Sequence, residues 1–469
     1  MVKIGIVLAM SILFAVGLGA CGSRGGAGRG IEDYFANREL LYGTTIYISH
    51  FVPGIMDADQ LHVFAAMFME DNPGITIEIR RFNDRERMRE TIGLEMMAGD
   101  SADVLINSQA FDWRAPAVSA RLADWFEIMA ADPDFSEDDW FMNIFHAFAV
   151  ADRLPVLPFY FNFGLVSASN YMDGAGDAFA RHETIDLSNM MQIYETYSNE
   201  YQRIFHTFNP YHAVMLHIGD FLDLDTGRIE FNTPEFVDFI TQMGQIAEGL
   251  TFLAQIPDRQ MLLQQPFAFP IQLPNGHHTM VLEEISRQFA FAKILAPACV
   301  FFLFDFQSNY GFTGAAPFAN EAGELIIDSF RTSFALNANA SPAQQIVAWE
   351  FMQFMQNPEN AHLAMPYRVR ATSQPIHKPL FRYLANHYID WSFAHYAGLF
   401  DINQTNNIIY TLENIASIPA RHIAPIPEAI QLIILETIMD FHDNLITPRQ
   451  AAEYLQNRIT IVLMEMGIL

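Results

Sequence analysis

Two stretches of this chain combine aromatic faces with hydrogen-bonding groups of the kind that grip a small molecule. They are Ser49-His50-Phe51 and Ser108-Gln109-Ala110-Phe111, the latter followed closely by Trp113. Tyr160 and Asn162 form a third such pair, and Tyr310 and Trp391 supply faces further along. An aromatic ring offers a flat apolar surface while nearby hydroxyl, amide and imidazole groups give and take hydrogen bonds, so the combination suits binding. Motifs for catalysis are missing. The sequence holds no HExxH, CxxC, GxSxG or phosphate-binding loop, and His277-His278 lacks cysteine or carboxylate at the usual metal-ligand spacing. No metal or cofactor is expected. The acids of Asp223-Leu-Asp225-Thr-Gly227 do not make a calcium loop, because Arg228 and Pro234 stand where an EF-hand needs glycine and glutamate, so the segment reads as a turn. With 54 acidic residues, a glycosidase-like carboxylate pair brought together in space stays open as an enzymatic alternative.

The chain has 469 residues, 51% hydrophobic and 13% aromatic, enough for a large core and more than one lobe. Its 26 basic residues against 54 acidic ones give a net charge of −28, which repels phosphate backbones. The arginines from Arg80 to Arg89 are interleaved with Asp84 and Glu86, the pattern of a solvated face, so no nucleic-acid partner is expected. At the N-terminus, Lys3 precedes an apolar run over 4–16 and then Leu18-Gly19-Ala20-Cys21, the layout of an export signal. That run is too short to span a bilayer comfortably and no basic stop-transfer cluster follows. Residues 22–30 carry five glycines and read as a flexible tether. The GxGxxG spacing at Gly17, Gly19 and Gly22 lies inside this segment with no strand-turn-helix around it, so a dinucleotide site is discarded. Cys299 is the other cysteine of the two; it sits in an apolar run at 294–304 and is expected in a buried strand, with no intramolecular disulfide in the mature chain.

The elements that must position these residues alternate. Residues 44–49 read as a strand, Leu61, Phe64, Ala65 and Phe68 as a helical stripe, 75–79 as a strand, Met88, Ile92 and Met96 as a second helix face, and 103–107 as a third strand. Strand-helix-strand alternation predicts an open α/β sheet whose ligand-facing loops follow the strand C-termini, where His50, Phe51, Ser108, Gln109 and Phe111 stand. Trp125, Trp140 and Trp349 fall on amphipathic helices and are assigned to packing. A strand-rich stretch over 149–167 reads as the exit from the first lobe. In the second half, 228–231 reads as a short strand, and Thr233-Pro234, Ser341-Pro342 and Thr447-Pro448 each supply an N-cap and N1 proline to a helix. The last helix is expected to turn Ala452, Leu455, Ile459 and Val462 inward.

Several collinear segments carry a resemblance. Leu18-Gly19-Ala20-Cys21 is similar to the lipobox of bacterial lipoproteins. Glu70-Asp71-Asn72-Pro73-Gly74, Met97-Ala98-Gly99-Asp100, Asp152-Arg153-Leu154-Pro155, Phe231-Asn232-Thr233-Pro234-Glu235-Phe236, Trp349-Glu350-Phe351, Gln374-Pro375 and Ala451-Ala452-Glu453 follow in family order. Together they resemble the family 1 extracellular solute-binding lipoproteins of sugar-type ABC importers, which are maltose-binding-protein-like. The resemblance implies an α/β, type II periplasmic-binding-protein-like clamshell with discontinuous lobes joined by crossover strands. On that reading 1–20 is a signal peptide, 21–40 the lipidated Cys21 and tether, 41–158 and 333–375 lobe one, and 159–332 and 376–469 lobe two. It further implies a monomer anchored by lipid at the outer membrane face, with a sugar as solute, ABC permease subunits as partners and no enzymatic activity. A sugar has apolar CH faces and hydroxyl edges, so Phe111, Trp113 and Tyr160 are the expected platforms, Ser108, Gln109 and Asn162 their polar partners, and Tyr310 and Trp391 the closing faces. The chain departs from the family pattern in two places. His50-Phe51 stands where a tryptophan often follows the first strand, and Arg368-Val369-Arg370 offers a grip for an acidic solute. An adhesin-type lipoprotein, using the same anchor without a cleft, is the remaining alternative.

Overall fold

The computed structural model describes residues 30–51, 58–106, 113–169 less 115, 183–197, 205–206, 214–247 less 216 and 225, 291–296, 312–328 less 318 and 321, 333–363, 374–395, 412–422 and 426–469 less 467. The chain opens with α1 (Ile31–Ala36) and a 3-10 turn at Arg38–Leu41. The predicted alternation follows, with β1 (Thr45–Phe51), α2 (Ala58–Asp71), β2 (Thr76–Phe82), α3 (Arg85–Ala98) and β3 (Val104–Ile106). The three strands are parallel, with Ile48 opposite both Ile79 and Val104. The stripe on α2 is buried as its spacing requires, at Leu61, Phe64, Ala65 and Phe68. Gly74 ends that connection at φ 94°, and the Tyr42 ring lies 2.3 Å from where a Cβ would stand, so only glycine fits. Asp84 caps α3 by accepting from the Arg87 N–H, and Gly99 closes it in the left-handed conformation.

Short helices α4 (Pro116–Ser119), α5 (Trp125–Ala131) and α6 (Met142–Phe148) lead to β4 (Val156–Pro158) and the long β5 (Tyr160–Ser169). After α7 (Leu187–Tyr197) and β6 (Phe205–His206), α8 (Ile218–Phe221) runs into the hairpin of β7 (Leu222–Asp223) and β8 (Arg228–Ile229). Asp223 accepts from the Thr226 hydroxyl at 2.9 Å and Gly227 takes φ 73°, so the acidic segment is a turn, as expected. Then come α9 (Pro234–Ala247), β9 (Phe291–Ala296), β10 (Phe312–Pro317), β11 (Leu325–Asp328), β12 (Ser333–Leu336), α10 (Pro342–Gln356), β13 (Gln374–Pro375), α11 (Lys378–His395), β14 (Ala420–His422), α12 (Glu428–His442) and α13 (Pro448–Glu465).

These strands make two principal sheets. The first has the order β2-β1-β3-β12-β4, with β12 antiparallel to both β3 and β4. The second runs β14-β11-β5-β9-β6, with β10 and β13 also paired to β5. Two cores form, and the first includes Phe161, Phe163, Leu325 and Ile327 of the second sheet. The first takes in α2, α3, α5, α6 and α10, and also Phe381, Ala385, Leu412, Ile415 and Ala416; the second gathers Phe231, Phe236, Ile240 and Met243 with Ile430, Ile434, Leu455 and Ile459. Ala452 is buried with them, while Val462 is only partly covered and Leu463 takes the buried position at that turn. The chain passes between sheets at Phe159, between β11 and β12, and again between the helical turn at 412–416 and β14. β13 returns alongside the start of β5, with Gln374 opposite Phe161 and Pro375 opposite Tyr160.

Three tryptophans hold the first core, as assigned from sequence. Trp349 lies 6.3 Å from Trp125 and 5.8 Å from Trp140, and its indole N–H donates to Asp132 Oδ2 at 2.7 Å. Trp140 departs from the expectation in one respect. It sits between the 3-10 turn at Glu137–Asp139 and α6, not on a helix, and bridges to His377. Asp132 also accepts from Gln353 at 3.1 Å and from the Asp134 N–H at 2.9 Å, so one buried carboxylate serves three donors. Asp132→Ala strands those donors and is expected to lower the unfolding free energy in urea by about 3 kcal/mol. Glu453→Ala, which breaks the exposed α13 pair with Arg449, should change it by no more than about 0.5 kcal/mol.

Candidate functional site at the lobe junction

In the first sheet β1, β3 and β4 run the same way, so their C-terminal ends share one rim, and β12 starts from it. Four of the expected residues stand there. His50, at the end of β1, is buried beside Ile106 of β3. Phe51 follows it, half-buried against the first core and in register with Phe82. Trp113 lies seven residues past the end of β3, and Tyr160 two residues after β4. Next to His50, the buried Ser49 hydroxyl accepts from the Arg80 guanidinium at 2.9 and 3.1 Å, while Arg80 forks onto Glu95 at 2.6 Å. The hydrogen bond to Glu95 outweighs burial and raises the Arg80 pKa, fixing that charge beneath the rim.

Trp113 is 2% exposed. One face stacks on Phe148 at 5.9 Å and 15°, the Arg114 guanidinium lies 5.4 Å from the ring, and the His422 ring is 5.8 Å away. Tyr160 is also buried, edge-on to Phe159 at 4.8 Å. Asn162 lies on β5 opposite Asp328, where the second sheet begins, and Trp391 lies on α11. Ser108, Gln109, Phe111, Tyr310 and Cys21 lie outside the described residues, as do Arg368, Arg370, His277, His278 and Cys299. The rim thus gathers His50, Phe51, Trp113 and Tyr160.

Sequence reasoning did not find three residues of this junction: Arg114, Phe148 and His422. The strand β14 alternates its faces. Its Arg421 lies opposite Ile326, which belongs to the second core, and its His422 opposite Ile327, which belongs to the first. His422 packs on Phe148 at 3.9 Å between ring centres. Burial, reinforced by the charge of Arg114, holds its pKa well below the ordinary imidazole value, so it is neutral at neutral pH. On the opposite face Arg421 pairs with Asp220, which also meets His217 Nδ1 at 3.2 Å. Burial pushes the Asp220 carboxyl up, but the His217 hydrogen bond and the Arg421 charge outweigh it and leave its pKa below the usual value. Gly219 makes this possible, because a Cβ there would stand 2.6 Å from Arg421 Nη2. Among the described residues no group of three or more His, Cys, Asp or Glu could hold a metal, and no described helix is long and apolar enough to cross a membrane.

His377, bridged to Trp140, holds its ring tilted against that indole at 4.7 Å, with Nδ1 donating to the Gln356 carbonyl at 3.0 Å. Burial lowers its pKa despite that bond and the Asp139 charge. The unfolded chain therefore takes up this proton first as pH falls through the ordinary imidazole value of about 6.5, and folded stability is lost below it. Urea unfolding should show wild type losing ground to His377→Gln as pH drops from about 7.5 to about 5.5. A difference that is flat across this range would contradict the assignment.

No family model matches the sequence, and no curated protein does. Solved structures do match. The sugar-binding protein MalE from the phytopathogen Xanthomonas citri aligns over 90% of this chain and 98% of its own, at 14% identity and a TM-score of 0.59. A family 1 extracellular solute-binding protein from Alicyclobacillus acidocaldarius covers 90% and 99% at 12% identity and 0.58. The cyclic alpha-maltosyl-1,6-maltose binding protein from Arthrobacter globiformis covers the same shares at 12% identity and 0.54. At such identities the likeness carries the fold, and the chain has the type II periplasmic-binding-protein-like fold of these extracellular solute-binding proteins.

Proposed function

We propose that this protein captures a carbohydrate between its two lobes and delivers it to the permease of an ABC importer, held at the outer membrane face by a lipid on Cys21. The observation that carries the reading is the rim itself: strand C-termini, interlobe crossings and aromatic side chains converge on one line, the place where open α/β sheets take ligands. The sugar-binding descriptions of two structural neighbours support the choice of solute. A solute that touches both lobes stabilises the closed arrangement through its extra contacts, and the closed form is what a permease would recognise. The protein performs no turnover in this scheme, and ATP is used by a separate subunit.

Thermal shift against a panel of mono- and oligosaccharides should raise the melting temperature with at least one member, and reducing-end assays should detect no sugar release. Release of sugar would favour the carboxylate-pair enzyme. For the site, Tyr160→Ala and Asn162→Ala are each expected to weaken calorimetric affinity for that sugar by about tenfold, the worth of one good contact. If neither changes it, the solute binds elsewhere than at this rim.

A further inference from the structure

The imidazole of His422 belongs by its backbone to the second sheet and by its packing to the first lobe. β14 pairs with β11 in the second sheet, yet the ring lies against Phe148 and Trp113 of the first core. Its Nδ1 is buried and has no hydrogen-bond partner among the described residues. Leaving such a group unsatisfied is costly, and placing a proton on it without a counter-charge costs far more. Among the described side chains none supplies a counter-charge to the ring. Arg114 brings a positive charge. On α6 His146 lies tilted against Phe126 at 5.4 Å, on β14 Arg421 is engaged with Asp220, and β11 sets Ile327 opposite His422 with Asp328 next along the strand.

We propose that His422 is an acid-sensitive latch, which in its neutral form lets β14 pack on Trp113 and Phe148 and when protonated drives the two lobes apart. The lowered pKa agrees in sign, since closure must then disfavour the proton and acid must disfavour closure. Once the pH lies below both values, each unit separating the open-state and closed-state pKa shifts the closure equilibrium by about tenfold. The consequence for solute rests on the carbohydrate reading: affinity is held at neutral pH and lost in acid.

Two readouts need no solute. Opening uncovers the buried Trp113 to water, so the emission of wild type minus that of Trp113→Phe should shift to longer wavelength as pH is lowered from about 7.5 to about 5, and the scattering radius of gyration should rise over the same range. His422→Phe keeps the stack without the proton, and His422→Gln keeps polarity; both should abolish the two changes. The proposal is overturned if either folded variant follows the wild-type curves, or if wild type shows neither change. In a third arm, calorimetry with the panel sugar that most raises the wild-type melting temperature should show an acid loss of at least about threefold in wild type and none in His422→Phe. If no sugar binds wild type at neutral pH, the carbohydrate reading fails while the first two arms still decide the latch.

Discussion

The second sheet hangs from one strand. β5 leaves the first lobe at Phe159 and then hydrogen-bonds to β9, β10, β11 and β13; β6 and β14 join only through β9 and β11. Because every buried N–H and C=O needs a partner, a strand serving so many neighbours cannot slip by a residue without unpairing all of them. That constraint fixes where the lobes meet. Tyr160 and Phe161 are locked to Pro375 and Gln374 at one end, and Phe163 and Asn162 face Ile327 and Asp328 just beyond. The rim, the crossings and the position of β14 all follow from this register.

Much of the first sheet was legible in the sequence because its logic is local. A strand, a helix with an apolar face and a second parallel strand can be read from periodicity in some thirty residues, and the caps at Ser341 and Thr447 mark where helices start elsewhere in the chain. The insertion of β12 between β3 and β4 was not legible, since nothing near Ser333 says that its partners lie at Val104 and Pro158. Asp103 shows the same limit. It reads as the start of a strand, but it is buried just before β3 with Oδ2 accepting the Tyr47 N–H at 2.8 Å, and burial raises its pKa against that bond and one from Gln344. At the rim, His50 and Phe51 could be named from the sequence because position at a strand end alone selects them. His422 was missed because it lies on a three-residue strand whose neighbours come from distant parts of the chain.

The aromatic residues of the junction serve packing first. Trp113 and Tyr160 are nearly fully covered, so any ligand that uses them as faces must compete with Phe148, His422 and Phe159 for the same surface. In the proposed binding scheme, affinity would depend on lobe position as much as on contact chemistry, because exposing a face and binding to it are coupled steps. The charges fit the same economy. In a chain with few cations, the arginines are placed in pairs with carboxylates: Arg80 with Glu95, Arg382 with Glu413, Arg421 with Asp220. Guanidinium does not titrate in the accessible range, so only the acids and histidines can make this junction respond to pH.

The start of the described chain is fastened in a similar way. Arg38 forks onto Glu350 of α10 at 2.7 and 2.9 Å and reaches Asn72 at 3.1 Å, while Ile31, Tyr34 and Phe35 of α1 rest on the first core. A pull from upstream of residue 30 is therefore delivered first to the core that α1 and α10 share. In the proposed closure the first lobe would be the mount and the second the moving jaw, so a molecule held at its leading end would present a fixed face to whatever holds it and swing the other.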